Sequence, residues 1–314
     1  MKIRTYVSRD TESLLELWNS AHPSTPLTME RMARLLFLDC NFSPADLLVA
    51  VGDDGRELLG MSYCPHRYFA VGKDGDMEEN KGFITLFAVA CDSFDDVGNV
   101  LLSVSEEHHR RGGRSIISTA YSPLYLTQGF ESGEENYIRL FESSGYSRSS
   151  SYKRSADLAS FSLPGSYVGA RRRLESEGIV FGPLRYEYLQ EFLDPGSEFS
   201  SPGWSWEFRT RLSADFDLEK ARTAVCGGHV IGGCIFGDPN SDEGRFGPLG
   251  VSPAFRGRGI GGVLFADCLE TMKRRGIKRA WAQWTPGEGP AHALYEKAGF
   301  AIEACIVSFR KELK

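Results

Sequence analysis

Gly247-Pro248-Leu249-Gly250-Val251-Ser252-Pro253-Ala254-Phe255-Arg256-Gly257-Arg258-Gly259-Ile260-Gly261-Gly262 is the stretch whose reading decides the fold. The apolar run from Phe246 to Val251 reads as a strand and stops at Pro253, which has no N–H to give to a sheet ladder. Ile260, Val263, Leu264, Cys268, Leu269 and Met272 then recur at three- and four-residue spacing, and Gly276 follows the basic Lys273-Arg274-Arg275 as a helix stop. A strand, a glycine-rich turn and a helix N-terminus make an anion site. The first helical N–H groups lack intrahelical partners, the helix dipole favours negative charge, and absent β-carbons let a phosphate come close. Arg256 and Arg258 add fixed charge with fork-like donors suited to phosphate.

Other phosphate-binding turns fit less well. The lysine-serine/threonine pair of the P-loop is absent, and a dinucleotide fingerprint is expected early in a βαβ unit, with an acidic residue about 20 positions on. The better description is Arg256-x-x-Gly259-x-Gly261. Downstream come a β-like run, Arg279 to Trp284, a Pro/Gly-rich turn, Pro286 to Pro290, and then Leu294-Tyr295-Glu296-Lys297-Ala298-Gly299-Phe300.

With both motifs present in order, residues 246–314 resemble the GNAT superfamily of acyl-CoA-dependent N-acetyltransferases. The resemblance implies an α/β (α+β) domain with a central mixed, mostly antiparallel sheet flanked by helices. It implies acetyl-CoA as co-substrate, with the pyrophosphate held at Arg256, Gly257, Arg258, Gly259, Ile260, Gly261 and Gly262, and the pantetheine arm beside Leu249 and Val251. It also implies that Tyr295 protonates the leaving thiolate. Many members carry Asn seven residues before that tyrosine; Glu288 stands there in this chain, as the residue expected to face the cofactor arm.

The chain has 314 residues, 41% of them hydrophobic and 25% charged, with a net charge of −6. That composition suits a soluble globular protein of two domains, and the acidic balance argues against a nucleic-acid partner. Seven scattered cysteines without a Cys-x-x-Cys read as small apolar residues in a reducing compartment, so no metal is expected. The amino-terminal residues run directly into a strand-like segment and no apolar run is long enough to span a bilayer, so the expected location is cytoplasmic, with no membrane partner.

From the start, Lys2 to Val7 reads as a strand, Asp10 as the cap of a helix through Asn19, and Met29 to Leu38 as a second helix. Asp46 to Val51 and Leu58 to Tyr63 form a hairpin across Gly52-Asp53-Asp54-Gly55, and Phe83 to Ala90 a further strand. Three segments of this half recur in order in the second. Leu58-Leu59-Gly60 parallels Val230-Ile231-Gly232, Val97-Gly98-Asn99-Val100-Leu101 parallels Ile260-Gly261-Gly262-Val263-Leu264, and Leu140-Phe141-Glu142 parallels Leu294-Tyr295-Glu296. The chain therefore reads as two tandem GNAT-like domains, residues 1–162 and 163–314, of the kind that includes mycothiol synthase-like proteins. In the first copy Ser93-Phe94-Asp95-Asp96 replaces the arginine-glycine turn and Phe141 replaces the tyrosine. That copy is expected to be degenerate and non-catalytic.

Further features carry expectations of their own. Arg171-Arg172-Arg173 reads as a solvated helix face, with phosphate binding as the alternative. The aromatic density of residues 184–210 reads equally as a lid over an acceptor site or as packing between the domains. Asp238, Glu243, Glu288 and His292 are the acid–base candidates near the motifs, beside a water chain to solvent. The leading reading is transfer of an acetyl group to a primary amine of a small molecule by direct attack in residues 163–314. A non-catalytic acyl-CoA-binding regulatory module and a protein N-acetyltransferase are the alternatives.

Overall fold

The computed structural model describes residues 1–313 except 40, 56, 67–79, 91, 93, 122–128, 163 and 239–241. Cys40, Cys91 and Ser93 of the sequence reading lie outside the described residues. The first elements are β1 (Lys2–Thr5), α1 (Thr11–Ala21), α2 (Met29–Met32), β2 (Leu47–Val51), β3 (Leu58–Tyr63), β4 (Lys81–Phe83) and β5 (Thr85–Val89). Next come α3 (Phe94–Arg111), β6 (Ile116–Ser118), β7 (Phe130–Glu131), α4 (Glu135–Ser143) and β8 (Ser147–Asp157). The order then repeats with α5 (Gly165–Ser176), β9 (Ile179–Pro183), α6 (Leu189–Phe192), α7 (Pro202–Ala214), β10 (Ala221–Cys226), β11 (His229–Phe236) and β12 (Phe246–Val251). It closes with α8 (Ile260–Arg274), β13 (Arg279–Thr285), α9 (Gly289–Lys297) and β14 (Ala301–Glu312).

The chain forms two compact units. One gathers Met1–Phe69, Asp76–Ser150 and Cys305–Lys314; the other is built on Ser151–Ala304. The division thus falls at 150/151, ahead of the 162/163 boundary read from the sequence. The physical reason is β8, which begins in the first unit and continues in the second, where Ala156 pairs with Ala280 and Arg154 with Ala282 of β13. In return β14 finishes in the first unit, where Arg310 pairs with Ser118 and Val307 with Phe130.

Each unit contains an antiparallel quartet, β1-β2-β3-β5 in the first and β12-β11-β10-β9 in the second. The registers coincide: Gly60 lies opposite Val89 as Gly232 lies opposite Val251. The repeated glycines allow a helix to lie close. A β-carbon on Gly60 would sit 3.1 Å from Leu101 and Val97 of α3, and one on Gly232 would sit 3.2 Å from Leu264 of α8. α8 buries Ile260, Val263, Leu264, Phe265, Cys268, Leu269 and Met272 against Ala224, Ile231 and Phe246, and each buried aliphatic side chain contributes roughly 1.5–3 kcal/mol.

Local details differ from the sequence reading. Asp10 makes no side-chain cap on α1; its carboxylate takes a bidentate pair from Arg4 at 2.7 and 2.8 Å and accepts the Val7 N–H. The second helix is α-helical only over Met29–Met32 and continues as a wider turn through Phe37. The expected strand over 83–90 is split at Ile84, followed by Leu86 at φ +47°. Phe192, Phe199 and Phe208 form a local core with Leu184, Leu212 and Ile235 inside the second unit, which fits neither expectation for that aromatic segment.

In the first unit His109 is buried, its Nε2 donating to the Phe83 carbonyl at 2.7 Å. Gly82 must be glycine beside it, because a β-carbon there would lie 2.3 Å from His109 Nδ1. Burial pushes His109 down to about 4, from an ordinary value of 6.5. The unfolded chain therefore takes up a proton as pH falls through 6.5 while the folded one does not, and stability drops until about pH 4, by roughly 3 kcal/mol in all. Chemical denaturation of wild type and His109→Gln at several pH values should show that slope in the wild type and a flatter one in the variant.

Candidate active site

The site is built around the end of β12. Ser252 N–H donates to the Ile231 carbonyl at 2.8 Å, so 252/231 and 250/233 are the hydrogen-bonded pairs of the antiparallel ladder. Leu249 and Val251 occupy the alternate positions, and their N–H and C=O groups point away from β11. On that side β12 and β13 diverge. They touch at a parallel bridge between Arg245 and Trp281, where Trp281 N–H donates to the Gly244 carbonyl at 2.9 Å. Among the described residues no strand lies beside this edge, and apart from the Val251 carbonyl, which Arg256 holds, it is suited to pairing with an extended amide-bearing ligand.

The turn that follows is shaped by glycine. Gly257 and Gly259 have φ +76° and +93°, and Gly259 caps α8 in the left-handed region without a side chain. No acidic residue lies in the first turn of α8, so its N–H groups face outward in a positive field. Arg256 folds back, its Nε donating to the Val251 carbonyl at 2.9 Å. Arg258 pairs with Glu177 and lies over the Phe255 ring at 5.6 Å. The two terminal glycines have different neighbours. A β-carbon on Gly261 would meet Leu249 and Val251 at an ordinary 3.6 Å, whereas one on Gly262 would lie 2.8 Å from the Tyr167 ring. Gly262 thus makes room for α5 rather than for a ligand.

Of the arginine triplet on α5, Arg171 bridges Glu175 and Asp267, Arg173 holds Glu177 and the Arg258 carbonyl, and Arg172 is exposed without a partner. Arg173 therefore braces the glycine turn from behind.

Tyr295 stands on α9 among Phe246, Phe265 and Phe300, with ring centroids 6.3, 5.4 and 5.3 Å away. Burial pushes its hydroxyl well above the ordinary tyrosine value, which keeps it protonated and able to donate. Glu288 is exposed at the N-cap of α9 and caps nothing with its side chain. The other acid–base candidates are already engaged. Asp238 holds Arg245, Glu243 holds Lys220 at 2.8 Å, and His292 Nδ1 accepts from Arg154 at 2.6 Å. Among the described residues, no group of His, Cys, Asp and Glu could hold a metal ion.

Sequence reasoning missed a buried ionic network at the start of β12. Glu207 of α7 accepts from Arg211 one turn on and from Arg245 at 3.0 Å, and Arg245 also pairs with Asp238. Arg211 Nη1 donates to the carbonyls of Gly237 and Gly247 at 3.2 and 2.8 Å, so the network ties down both strands where they bend. Its trace in the sequence is the pair Glu207 and Arg211 at helical spacing.

The first unit closes the corresponding edge. Val89, the counterpart of Val251, donates its N–H to the Tyr137 hydroxyl at 3.1 Å, and the Phe87 carbonyl meets His22 Nε2 at 3.0 Å. The adjoining cleft is lined by Glu131, Glu134 and Glu135 beside Phe94 and Tyr137, and α3 carries Asp95 and Asp96 in its first turn. Side chains occupy the amides, and carboxylates line the place where an anion would lie.

The chain is similar to known acetyltransferases. The profile of the acetyltransferase (GNAT) family matches residues 185–300. A mycothiol acetyltransferase of Corynebacterium glutamicum is 36% identical over 63 residues, which are 20% of this chain and 22% of that protein, so the match spans under a quarter of the relative. A glucosamine N-acetyltransferase region of a fungal multi-domain β-N-acetylglucosaminidase superposes with TM-score 0.81 at 16% identity, covering 99% of this chain and 38% of that one. A tandem GNAT protein from the clavulanic acid biosynthesis pathway superposes with TM-score 0.63 at 16% identity, covering 99% and 98%. Residues 185–300 are a GNAT acetyltransferase domain, and over nearly its whole length the chain has the fold of tandem GNAT proteins.

Replacing Glu207 by Gln should leave two buried guanidiniums facing one carboxylate, a loss of about 3–5 kcal/mol by the usual cost of breaking a buried pair. Urea denaturation at neutral pH measures it, and an unchanged midpoint would show the network to be dispensable.

Proposed function

We propose that the protein transfers an acetyl group from acetyl-CoA to a primary amine of a small molecule, in a single site of the second unit. The observation that carries the reading is the open edge of β12, with Leu249 and Val251 facing away from β11 directly before the glycine turn and the N-terminus of α8. The pantetheine amides pair with that edge, and the pyrophosphate lies over Gly257, Gly259 and Gly261 at the N-terminus of α8. The acceptor nitrogen attacks the thioester carbonyl carbon, a C–N bond forms and the C–S bond breaks. Tyr295 gives its phenolic proton to the departing sulfur. With Asp238, Glu243 and His292 engaged and Glu288 out in solvent, the ammonium proton leaves to solvent, so kcat/KM should rise with pH towards the acceptor's own ammonium pKa. The acetyltransferases among the similar proteins support an amine acceptor, and the matched glucosamine N-acetyltransferase region makes amino sugars the first class to try.

In this reading the first unit does not bind the co-substrate, because Tyr137 and His22 take the backbone groups that Val251 and Leu249 leave open. Calorimetric titration of acetyl-CoA into the full chain should give one site, abolished by Gly259→Glu, which adds both a strained side chain and a carboxylate at φ +93°. Two sites would refute the silent first unit; none would remove the transferase reading. Tyr295→Phe should retain binding and lose about 10²-fold or more in kcat with an amine found by screening, and retained turnover would exclude its role as the acid.

A further inference from the structure

Four arginines are buried among the described residues: Arg154, Arg211, Arg222 and Arg245. Three rest on carboxylates: Arg211 on Glu207, Arg222 on Asp267 at 2.6 Å, and Arg245 on Glu207 and Asp238. Arg154 is the most deeply buried, at 1% exposure, and meets no carboxylate. Its Nε donates to Thr285 Oγ1 at 3.0 Å, and its Nη2 donates to the Pro286 carbonyl at 3.4 Å and to His292 Nδ1 at 2.6 Å. Its guanidinium lies 5.7 Å from the Tyr152 ring centre. A buried cation held by neutral groups alone is expensive, and such a charge is normally retained where negative charge arrives.

The neighbours say which charge that is. A guanidinium only donates, so His292 Nδ1 accepts from Arg154, and the other ring nitrogen lies 3.1 Å from Glu296 Oε1. His292 and Tyr295 are three residues apart on α9, one above the other on one helix face.

We propose that Arg154 is a positioning residue for acyl transfer, resting on Tyr295 as the general acid: its uncompensated charge stabilises the phenolate left when the tyrosine gives its proton to the departing sulfur. The O–H bond of Tyr295 breaks, an S–H bond forms on CoA, the electron pair stays on the phenolate oxygen, and water restores the proton after release. The groups acting on the Tyr295 hydroxyl are consistent with this. Burial raises it, Arg154 from β8 opposes that, and the thiols of Cys234 on β11 and Cys268 on α8 add to the rise; on its own helix stand His292 and Glu296. Arg154 also lies before residue 163, in sequence that reads as part of the first domain.

The test is a double-mutant cycle in the full chain, following release of CoA thiol with acetyl-CoA and the amine found by screening. Arg154→Met should lower kcat by about 10- to 100-fold while KM for acetyl-CoA changes by less than about twofold, and Arg154→Lys should recover much of the loss. In a Tyr295→Phe background the same Arg154→Met change should alter kcat by less than about twofold, because the group it serves is gone. An equal loss in both backgrounds, or an unchanged kcat with only a lower Tm, overturns the proposal while leaving Tyr295 as the acid. If Tyr295→Phe itself turns over normally, both readings fall. Should Arg154→Met not fold, Arg154→Gln carries the same cycle, with a loss confined to the Tyr295 background as the supporting result.

Discussion

A strand edge without a neighbouring strand must find other partners for its backbone groups, and β12 turns such an edge outward at the half-buried Leu249 and Val251. The strand can keep that edge open because its other edge is paired with β11 from Leu249 to Val251 and its beginning is clamped by Glu207, Arg211, Arg245 and Asp238. Gly250 belongs to the same constraint. A β-carbon there would lie 1.8 Å from the Phe199 carbonyl, so the chain leading into α7 rests directly on the strand. Open edge, charged clamp and glycine contact are one arrangement.

The two units show what happens when that constraint is kept or released on the same framework. Val89 and Val251 occupy matching ladder positions, opposite Gly60 and Gly232. In the first unit Tyr137 and His22 satisfy the edge from within the protein, and acids gather at the helix start. In the second the edge stays open, and the helix start is free of acids. Repetition of a fold therefore says little about repetition of a site. A few side chains that reach a strand edge decide between them.

Much of the second unit was legible in the sequence because local signals there agree. The strand over 246–251, the glycine turn at 257 and 259 and the helix from Ile260 each follow from short-range chemistry, and the structure has them at those residues. The domain boundary was not legible, since β8 reads as the tail of a first domain and only its pairing with β13 carries it into the second unit. The same holds for Arg154, whose neighbours Thr285 and His292 are more than a hundred positions away. The Glu207 network escaped for a related reason. Charges at helical spacing look like a solvated face until the fold buries them, as it does here.

Residues 305–313 complete the first unit, with Val307 and Phe309 packed beside Phe130, Phe141 and Ile117, and with Phe309 and Thr119 exchanging hydrogen bonds of 2.9 and 3.0 Å. They are also synthesised after every residue of the second unit. On the ribosome, then, the earlier half of the chain emerges with β6 and β7 lacking their partner strand, and it must hold that edge unmatched until the later half has been made. The order in which the halves are translated is therefore not the order in which they can be finished, and completion of the first unit reports that the second has already been made.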